Sequence, residues 1–138
     1  MSSEVIHEVS EQRSRNMSAI KSKNTKPEIK VRKFLHSMGY RFRLHRKDLP
    51  GKPDLVLPKY RTAIFVNGCF WHQHKECKYS RLPKTNIDFW KRKLEGNSQR
   101  DKLNQSKLKD MGWKVIIIWE CQIKEIENIR YFIKETLP

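Results

Sequence analysis

Hydrophobic residues recur with a helical period in the segment that follows Thr25. They are spaced at i, i+3, i+4 and i+7, which places on one helix face Val31, Phe34, Leu35 and Met38. The four residues from Thr25 to Glu28, TKPE, have the spacing of a capping box with proline in the first turn. We therefore predict a helix that begins at Thr25 and ends at Gly39.

Three short strands are predicted after this helix. In the first, the apolar residues Tyr40, Phe42 and Leu44 alternate with polar ones, as in a half-buried strand, and the polar members are Arg41, Arg43 and His45. A turn follows over residues 49–53, and the other two strands cover residues 54–57 and 61–66, on either side of Pro58. Such short connections favour an antiparallel meander.

The second half of the chain is predicted to hold a long loop, helices and a buried strand. The loop, residues 67–83, is rich in histidine, cysteine and aromatic residues. Two polar-faced helices are predicted at about 86–94 and 98–111, broken at Gly96 and closed by Gly112. Residues 113–119 form a continuous apolar strand of the kind that is buried on both faces. A last helix, marked by isoleucine at 123, 126, 129 and 133, completes an order that predicts a three-layer α/β/α domain with a mixed central sheet.

The length of the chain fits one domain. With 138 residues, two separate cores would each be too small to be stable without metals or disulfides. Residues 1–12 are polar and without period, so we predict a flexible lead followed by a single domain over residues 13–138. Within that domain, residues 13–24 interleave cations with apolar residues such as Met17 and Ile20, and are interpreted as an arm that contacts a partner.

The chain carries a large excess of positive charge. Thirty Lys and Arg residues against fifteen Asp and Glu residues give a formal net charge of +15. This excess favours a nucleic acid as partner, because cations displace counterions from phosphates. A basic soluble surface is the alternative, and a membrane surface fits less well, since no basic amphipathic helix with a wide apolar side occurs. With no stretch apolar enough to span a membrane and no secretory signal, a cytoplasmic protein is expected.

Three cysteines and one histidine have the chemistry of a zinc site. Cys69, His74 and Cys77 lie in the long loop with C-x4-H-x2-C spacing, and Cys121 directly follows the apolar strand. Thiolates and an imidazole form the closed tetrahedral set of a structural zinc ion, which would tie the loop to the sheet. His72 is an alternative fourth ligand, and three unrelated free thiols are the alternative to any metal site.

Asp54 and His72 are candidate catalytic residues. Asp54 follows Pro53 at the head of a predicted strand, and His72 lies beyond the next strand. A carboxylate at such a point is suited to hold Mg2+ beside a phosphate, and a histidine titrates near neutral pH and is suited to take a proton from water. Taken alone, Pro-Asp is more often explained as a turn.

Two pairs of adjacent aromatic residues stand in cationic surroundings. Phe70 and Trp71 lie in the long loop, and Phe89 and Trp90 lie at a helix start. Such rings stack on bases or wedge between base pairs. The alternative is that one member of each pair belongs to the core, which we expect for Phe89. The tryptophans at the two ends of the apolar strand are expected to be structural, Trp113 and Trp119.

Five short blocks occur in order along the chain: RSRNM at 13–17, PGKPD at 50–54, GCFWH at 68–72, FW at 89–90 and WEC at 119–121. Together they resemble the bacterial very short patch repair (Vsr) mismatch endonucleases. The resemblance runs from about residue 13 to residue 125, and its most specific part is GCFWH with the downstream WEC.

This resemblance implies a restriction-endonuclease-like fold and hydrolysis of one strand of double-stranded DNA, on the 5′ side of the thymine in a T:G mismatch. Such mismatches arise when 5-methylcytosine deaminates, so a functional link to a cytosine-5 DNA methyltransferase is implied as well. A monomer acting at the bacterial nucleoid is expected. A catalytically silent, zinc-containing DNA-binding module is the alternative, and a basic structural protein of a ribonucleoprotein assembly is a weaker one.

By position, the resemblance also assigns roles to individual residues. Asp54 would bind Mg2+ together with the main-chain carbonyl of Val66, and His72 would be the general base. Glu28 would hold metal-bound water, a role that does not exclude its place in the capping box. The implied zinc ligands are Cys69, His74, Cys77 and Cys121, and the implied DNA-contacting residues are Met17, Ile20, Phe70, Trp71 and Trp90.

The sequence departs from the usual nuclease pattern at a few positions. Residues 63–67 lack the carboxylate that most nucleases of this class carry there, a gap that the resembled family shares. Asn67 lies where a known family sequence has a histidine that assists catalysis, and its amide cannot transfer a proton, although it can hydrogen-bond a phosphate. The segment between His74 and Cys77 is one residue longer than expected, which leaves the histidine ligand open.

Overall fold

A computed structural model describes residues 25–137, and the first helix within that range follows the predicted capping pattern. Helix α1 covers Lys26–Ser37, and the Oγ1 atom of Thr25 accepts a hydrogen bond from the backbone N–H of Glu28 at 3.3 Å. Gly39, with φ at +88°, ends the helix in the left-handed conformation that glycine adopts without strain. The predicted helix and both of its ends are confirmed.

A four-stranded mixed sheet forms the centre of the fold. In chain order, which is also the order in the sheet, its strands are β1 (Arg43–Leu44), β2 (Leu55–Leu57), β3 (Thr62–Asn67) and β4 (Lys114–Trp119). Strand β2 runs antiparallel to β1 and β3, whereas β3 and β4 are parallel. The predicted meander and the mixed character of the sheet are confirmed.

Strand β1 is shorter than the predicted segment 40–44. Of the predicted segment, only Arg43 and Leu44 pair with β2, and Leu44 is 40% exposed. Tyr40 and Phe42 still pack against the core, but outside the ladder. Directly after β1, the backbone N–H of His45 donates to the carbonyl of Asp54 at 3.3 Å. This short edge strand therefore brings His45 beside Asp54.

One continuous helix, α2 (Ile87–Asp110), takes the place of the two predicted helices. Gly96 lies within it, although glycine costs about 1 kcal/mol relative to alanine inside a helix. Burial of Trp90, Leu94 and Leu108 along the same helix outweighs that cost, so the predicted break is wrong. At 24 residues α2 is long, yet no helix between residues 25 and 137 is both long and apolar enough to span a bilayer.

Helices cover both faces of the sheet, and each face has its own core. The larger core joins the sheet to α1 and to the last helix, α3 (Ile126–Thr136), and includes Leu35, Leu55, Ile64, Ile116 and Ile133. The smaller core, on the other face, includes the α2 residue Leu108 with Val56, Ala63 and Trp113. Residues adjacent in a strand point to opposite faces, so β2 serves both cores. The layers are those of an α/β/α domain.

Candidate active site

Asp54 precedes β2 and is tied to the neighbouring strand. One carboxylate oxygen, Oδ2, accepts a hydrogen bond from the backbone N–H of Val66 at 2.7 Å. Because this bond holds one oxygen, the carboxylate has a defined orientation and its other oxygen is available to a ligand. Asp54 is thus a positioned group rather than a residue of the turn alone.

The surroundings of Asp54 disfavour its charge. Burial raises the pKa of Asp54 to about 6, while the hydrogen bond from Val66 lowers it. The nearby charge of Glu28 raises the pKa further, and the smaller influences of His45 and His72 lower it. A half-buried carboxylate and a fully buried one are therefore held close together, an arrangement whose repulsion a bound cation relieves.

Glu28 supplies the second carboxylate from the first turn of α1. Its side chain is almost fully buried, at 1% exposure, and its Oε2 contacts the Nε2 of His45 at 2.7 Å as well as the guanidinium of Arg32. One ligand atom from each of Glu28, His45 and Asp54 lies within 4.8 Å of the other two. Two carboxylates at this separation fit a divalent ion such as Mg2+, which prefers oxygen ligands.

His72 is held by a partner on α2. Its Nδ1 atom lies 2.6 Å from Oδ2 of Asp101. A carboxylate at Nδ1 fixes the tautomer and the ring orientation, and it leaves Nε2 to exchange a proton. The pair therefore has the arrangement of a general base with its orienting carboxylate.

A cleft of about 460 Å³ collects these groups. Its walls include Asp54, His72 and Asp101, and also the cations Lys47 and Lys52. Carboxylates for a metal ion, an oriented histidine and two lysines together suit a phosphodiester, which needs its negative charge neutralised. Two other residues that the sequence predicted for this site also line the cleft, Val66 and Asn67.

A second cluster brings together the four predicted zinc ligands. One ligand atom from each of them lies within 4.8 Å of the others, and the residues are Cys69, His74, Cys77 and Cys121. The Nδ1 atom of His74 lies 3.7 Å from Sγ of Cys69 and 3.4 Å from Sγ of Cys121. Burial, together with the neighbouring thiols, raises the pKa of Cys69 to about 12, so a cation beside this thiol would favour its ionised form. The alternative ligand, His72, pairs with Asp101 and lies outside this cluster.

The histidine of this cluster is supported by the sheet. The ring of His74 stacks on Trp119 at the end of β4, with 4.1 Å between ring centroids and 7° between planes. The hydroxyl of Ser80 lies 2.7 Å from the carbonyl oxygen of His74. Trp119 thus has the structural role predicted for it, because it fixes the imidazole beside the thiols.

The aromatic residues form a compact group at the start of α2. Ring centroids of Phe70, Trp71 and Trp90 lie 5.5 to 6.1 Å apart in edge-to-face contacts. Trp90 is only 5% exposed, whereas Phe89 is 52% exposed. The expectation that Phe89 belongs to the core is wrong, because the buried face of α2 passes through Trp90 and Leu94, four residues apart.

Sequence patterns did not reveal two residues of the cleft. Nothing local distinguishes Asp101 from the other acidic residues of α2, and His45 fitted the polar side of an alternating strand. Both contacts span many residues, 29 between His72 and Asp101 and 17 between Glu28 and His45. The arm with Met17 and Ile20 lies outside the described residues, so its predicted contacts stay predictions.

The sequence of this chain is similar to those of known proteins. A model of the family described as DNA mismatch endonuclease Vsr matches residues 6–79. The chain is 49% identical over 121 residues to the type II nicking enzyme V.XorIIP of Xanthomonas oryzae pv. oryzae, covering 88% of each protein. It is 40% identical over 117 residues to the DNA mismatch endonuclease Vsr of Escherichia coli K12, covering 85% of this chain and 74% of that protein.

A solved structure has the same fold. The catalytic domain of the homing endonuclease I-Bth0305I superposes with a TM-score of 0.58 and 23% sequence identity, covering 81% of this chain and 93% of that domain. At this identity the likeness concerns the fold alone. It supports a mixed sheet with flanking helices of the restriction-endonuclease-like kind.

Proposed function

The chain belongs to the very short patch repair (Vsr) family of DNA mismatch endonucleases, and we propose that it nicks one strand of duplex DNA on the 5′ side of the thymine in a T:G mismatch. The observation that carries the catalytic part is the shared cleft of Asp54 and His72, beside Glu28. A catalytically silent DNA-binding module does not require two adjacent carboxylates, one of them fully buried, or a histidine held by an aspartate.

Asp54 would hold the catalytic divalent ion together with the main-chain carbonyl of Val66. Glu28, to which the family resemblance gives a metal-bound water, lies close enough to Asp54 to be a second carboxylate at the same ion. The ion would supply Lewis-acid chemistry at the scissile phosphate and its leaving oxygen. The closeness of the half-buried Asp54 to the buried Glu28 supports this assignment, since a cation would compensate their mutual repulsion. Lys47 and Lys52, on the cleft wall, attract the DNA backbone to the same place.

His72 acts as the general base. It takes a proton from the attacking water at Nε2, while Asp101 holds Nδ1 and stabilises the imidazolium that forms. Asp101 is a positioning residue, because it acts through His72. Asn67, at the end of β3, offers an amide to a phosphate oxygen and takes no part in proton transfer.

Phe70 and Trp71 read the mismatch by entering the base stack. Trp90, for which the family resemblance implied the same role, is only 5% exposed and instead packs against these two rings. The edge-to-face contacts among the three rings keep the outer two in place. A mismatched step opens at lower cost than a paired one, so insertion favours the mismatch without a hydrogen bond to every base. The arm residues Met17 and Ile20 press from the other groove in this proposal.

The four-residue cluster would hold a structural zinc ion, which would tie the aromatic loop to β4. Cys69 and Cys77 belong to the loop and Cys121 follows the strand, so one ion would fix the position of Phe70 and Trp71 relative to the sheet. The biological substrate is the product of 5-methylcytosine deamination, which links this enzyme to a cytosine-5 DNA methyltransferase. A monomer is sufficient, because the cut is in one strand.

Replacing His72 with glutamine is expected to slow single-turnover nicking by about 10²-fold or more, since a general base contributes on that scale. Asp101→Asn is expected to slow single-turnover nicking by a smaller factor. The DNA affinity of His72→Gln and of Asp101→Asn is expected to equal that of the wild type. Asp110→Asn, at the exposed end of α2, is the matched control. Equal nicking by the wild type and His72→Gln would remove the general-base assignment.

Replacing Trp71 with alanine is expected to reduce the preference for a T:G over a C:G duplex by about tenfold, because stacking on a base contributes about 1 to 3 kcal/mol. Overall affinity should fall less than the preference. Nicking rates on the two duplexes, measured side by side, give the ratio. Tyr131→Ala, an exposed aromatic residue on α3, is the control and should keep the wild-type ratio. An unchanged ratio in Trp71→Ala would argue against insertion at the mismatch.

A further inference from the structure

His45 occupies a constrained position at the edge of the cleft. It follows β1, and its backbone N–H donates to the carbonyl of Asp54 at 3.3 Å. Its φ angle is +49°, in the left-handed region that residues with a side chain seldom adopt. Its side chain reaches the opposite carboxylate, with 2.7 Å between Nε2 and Oε2 of Glu28. The backbone of His45 is thus held by the main-chain carbonyl of Asp54, and its Nε2 atom by Glu28, with a ligand atom of all three residues within 4.8 Å of the others.

The spacing of these three groups matches a common coordination shell. Two ligand atoms in adjacent positions around a divalent ion, each about 2.1 Å from it, are about 3 Å apart. The contact between His45 and Glu28 is close to that value, and Asp54 lies within 4.8 Å of both. Neutral imidazole is a good ligand through the nitrogen that carries no proton. A cation can therefore take the place between Nε2 and Oε2 that the hydrogen bond now occupies.

We propose that Nε2 of His45 is a direct ligand of the catalytic divalent ion, together with Asp54 and Glu28. The inference deepens the proposed function and rests on it. Mg2+ prefers oxygen ligands, whereas a nitrogen ligand favours ions of the first transition series. We therefore expect His45 to contribute more to the affinity for Mn2+ than to the affinity for Mg2+.

The test uses the full-length protein, with zinc at the cysteine cluster, and Mn2+ as the probe. Pulsed electron paramagnetic resonance of bound Mn2+ is expected to show coupling to one directly coordinated nitrogen. In His45→Asn this coupling should be lost and Mn2+ affinity should fall by about tenfold or more, with Mg2+ affinity much less affected. Asparagine is chosen because it adopts the left-handed conformation more readily than most residues.

Two further histidine variants identify the source of the nitrogen signal. His36→Asn, on the exposed end of α1, and His72→Asn, in the cleft, should both keep the coupling and the Mn2+ affinity. A coupling that disappears in His72→Asn and persists in His45→Asn overturns the inference.

Two other outcomes separate this inference from the proposed function. Mn2+ bound by oxygen alone, and released in Asp54→Asn, overturns the role of His45 and leaves the metal site in place. Mn2+ affinity that is the same in the wild type and in Asp54→Asn overturns both, because the cleft then holds no ion at Asp54.

Discussion

Asp54→Asn is expected to abolish strand nicking and to leave the fold intact. Asparagine keeps the shape of the side chain and an oxygen that accepts the hydrogen bond from Val66, but it has no charge with which to hold a divalent ion. Loss of the electrostatic contribution of the ion is expected to slow single-turnover cleavage of a T:G duplex by at least about 10³-fold.

Stability measurements separate this catalytic loss from unfolding. Because Asp54 is half-buried beside Glu28, removing its charge removes a repulsion, and the melting temperature in buffer without Mg2+ is expected to stay equal or to rise. Asp48→Asn is the matched control, since Asp48 is exposed and pairs with Arg46. Nicking that persists undiminished in Asp54→Asn would contradict the assignment of Asp54 as a metal ligand.

Cys121→Ser is expected to have the largest effect on stability. Serine is a poor zinc ligand, and a structural zinc site contributes its binding free energy to folding. We expect less than one equivalent of zinc in the purified variant and a free energy of unfolding lower by about 3 kcal/mol, which lowers the melting temperature by about 10 °C. Metal analysis and thermal unfolding check these two results.

Chelation provides the control for this variant. Removal of zinc from the wild type should lower its melting temperature to that of Cys121→Ser, and the same treatment should change the variant little. Nicking should fall in both cases, because the ligands Cys69 and Cys77 belong to the loop that carries Phe70 and Trp71. A variant that keeps both its zinc and its stability would exclude Cys121 as a ligand.

Local signals were sufficient for much of the fold. The TKPE cap and the spacing of the apolar residues predicted α1 with both ends, because capping and periodicity act within a few residues. The apolar run predicted β4 as a strand for the same reason. Its expected burial on both faces is wrong, because β4 lies at the edge of the sheet, where Ile116 and Ile118 are buried but Val115 and Ile117 are only half-buried. Gly96 misled the prediction of α2, since packing of Trp90 and Leu108 outweighs the local preference of one glycine.

The candidate site was predictable only where one chemistry required several residues at once. A zinc site requires several cysteine and histidine ligands at once, so the grouping of the three cysteines with a histidine could be predicted from the sequence. The structure brings these four residues together. Asp101 and His45 were not predicted, because each contacts its partner only in the tertiary fold. No short motif links Asp101 to His72, or His45 to Glu28. The family resemblance pointed to Asp54 and His72, and the structure places both in one cleft.

The most direct test of mismatch-specific nicking is an assay on end-labelled duplexes that differ in a single base pair, T:G or C:G. The flanking bases are randomised, because the sequence context that the enzyme prefers is part of the result. In the presence of Mg2+ we expect a single cut in the T:G duplex, on the 5′ side of the mismatched thymine and in the strand that contains it. We expect little cleavage of the C:G duplex. Equal cleavage of both duplexes, or tight binding of the T:G duplex without a cut, would contradict mismatch-specific nicking.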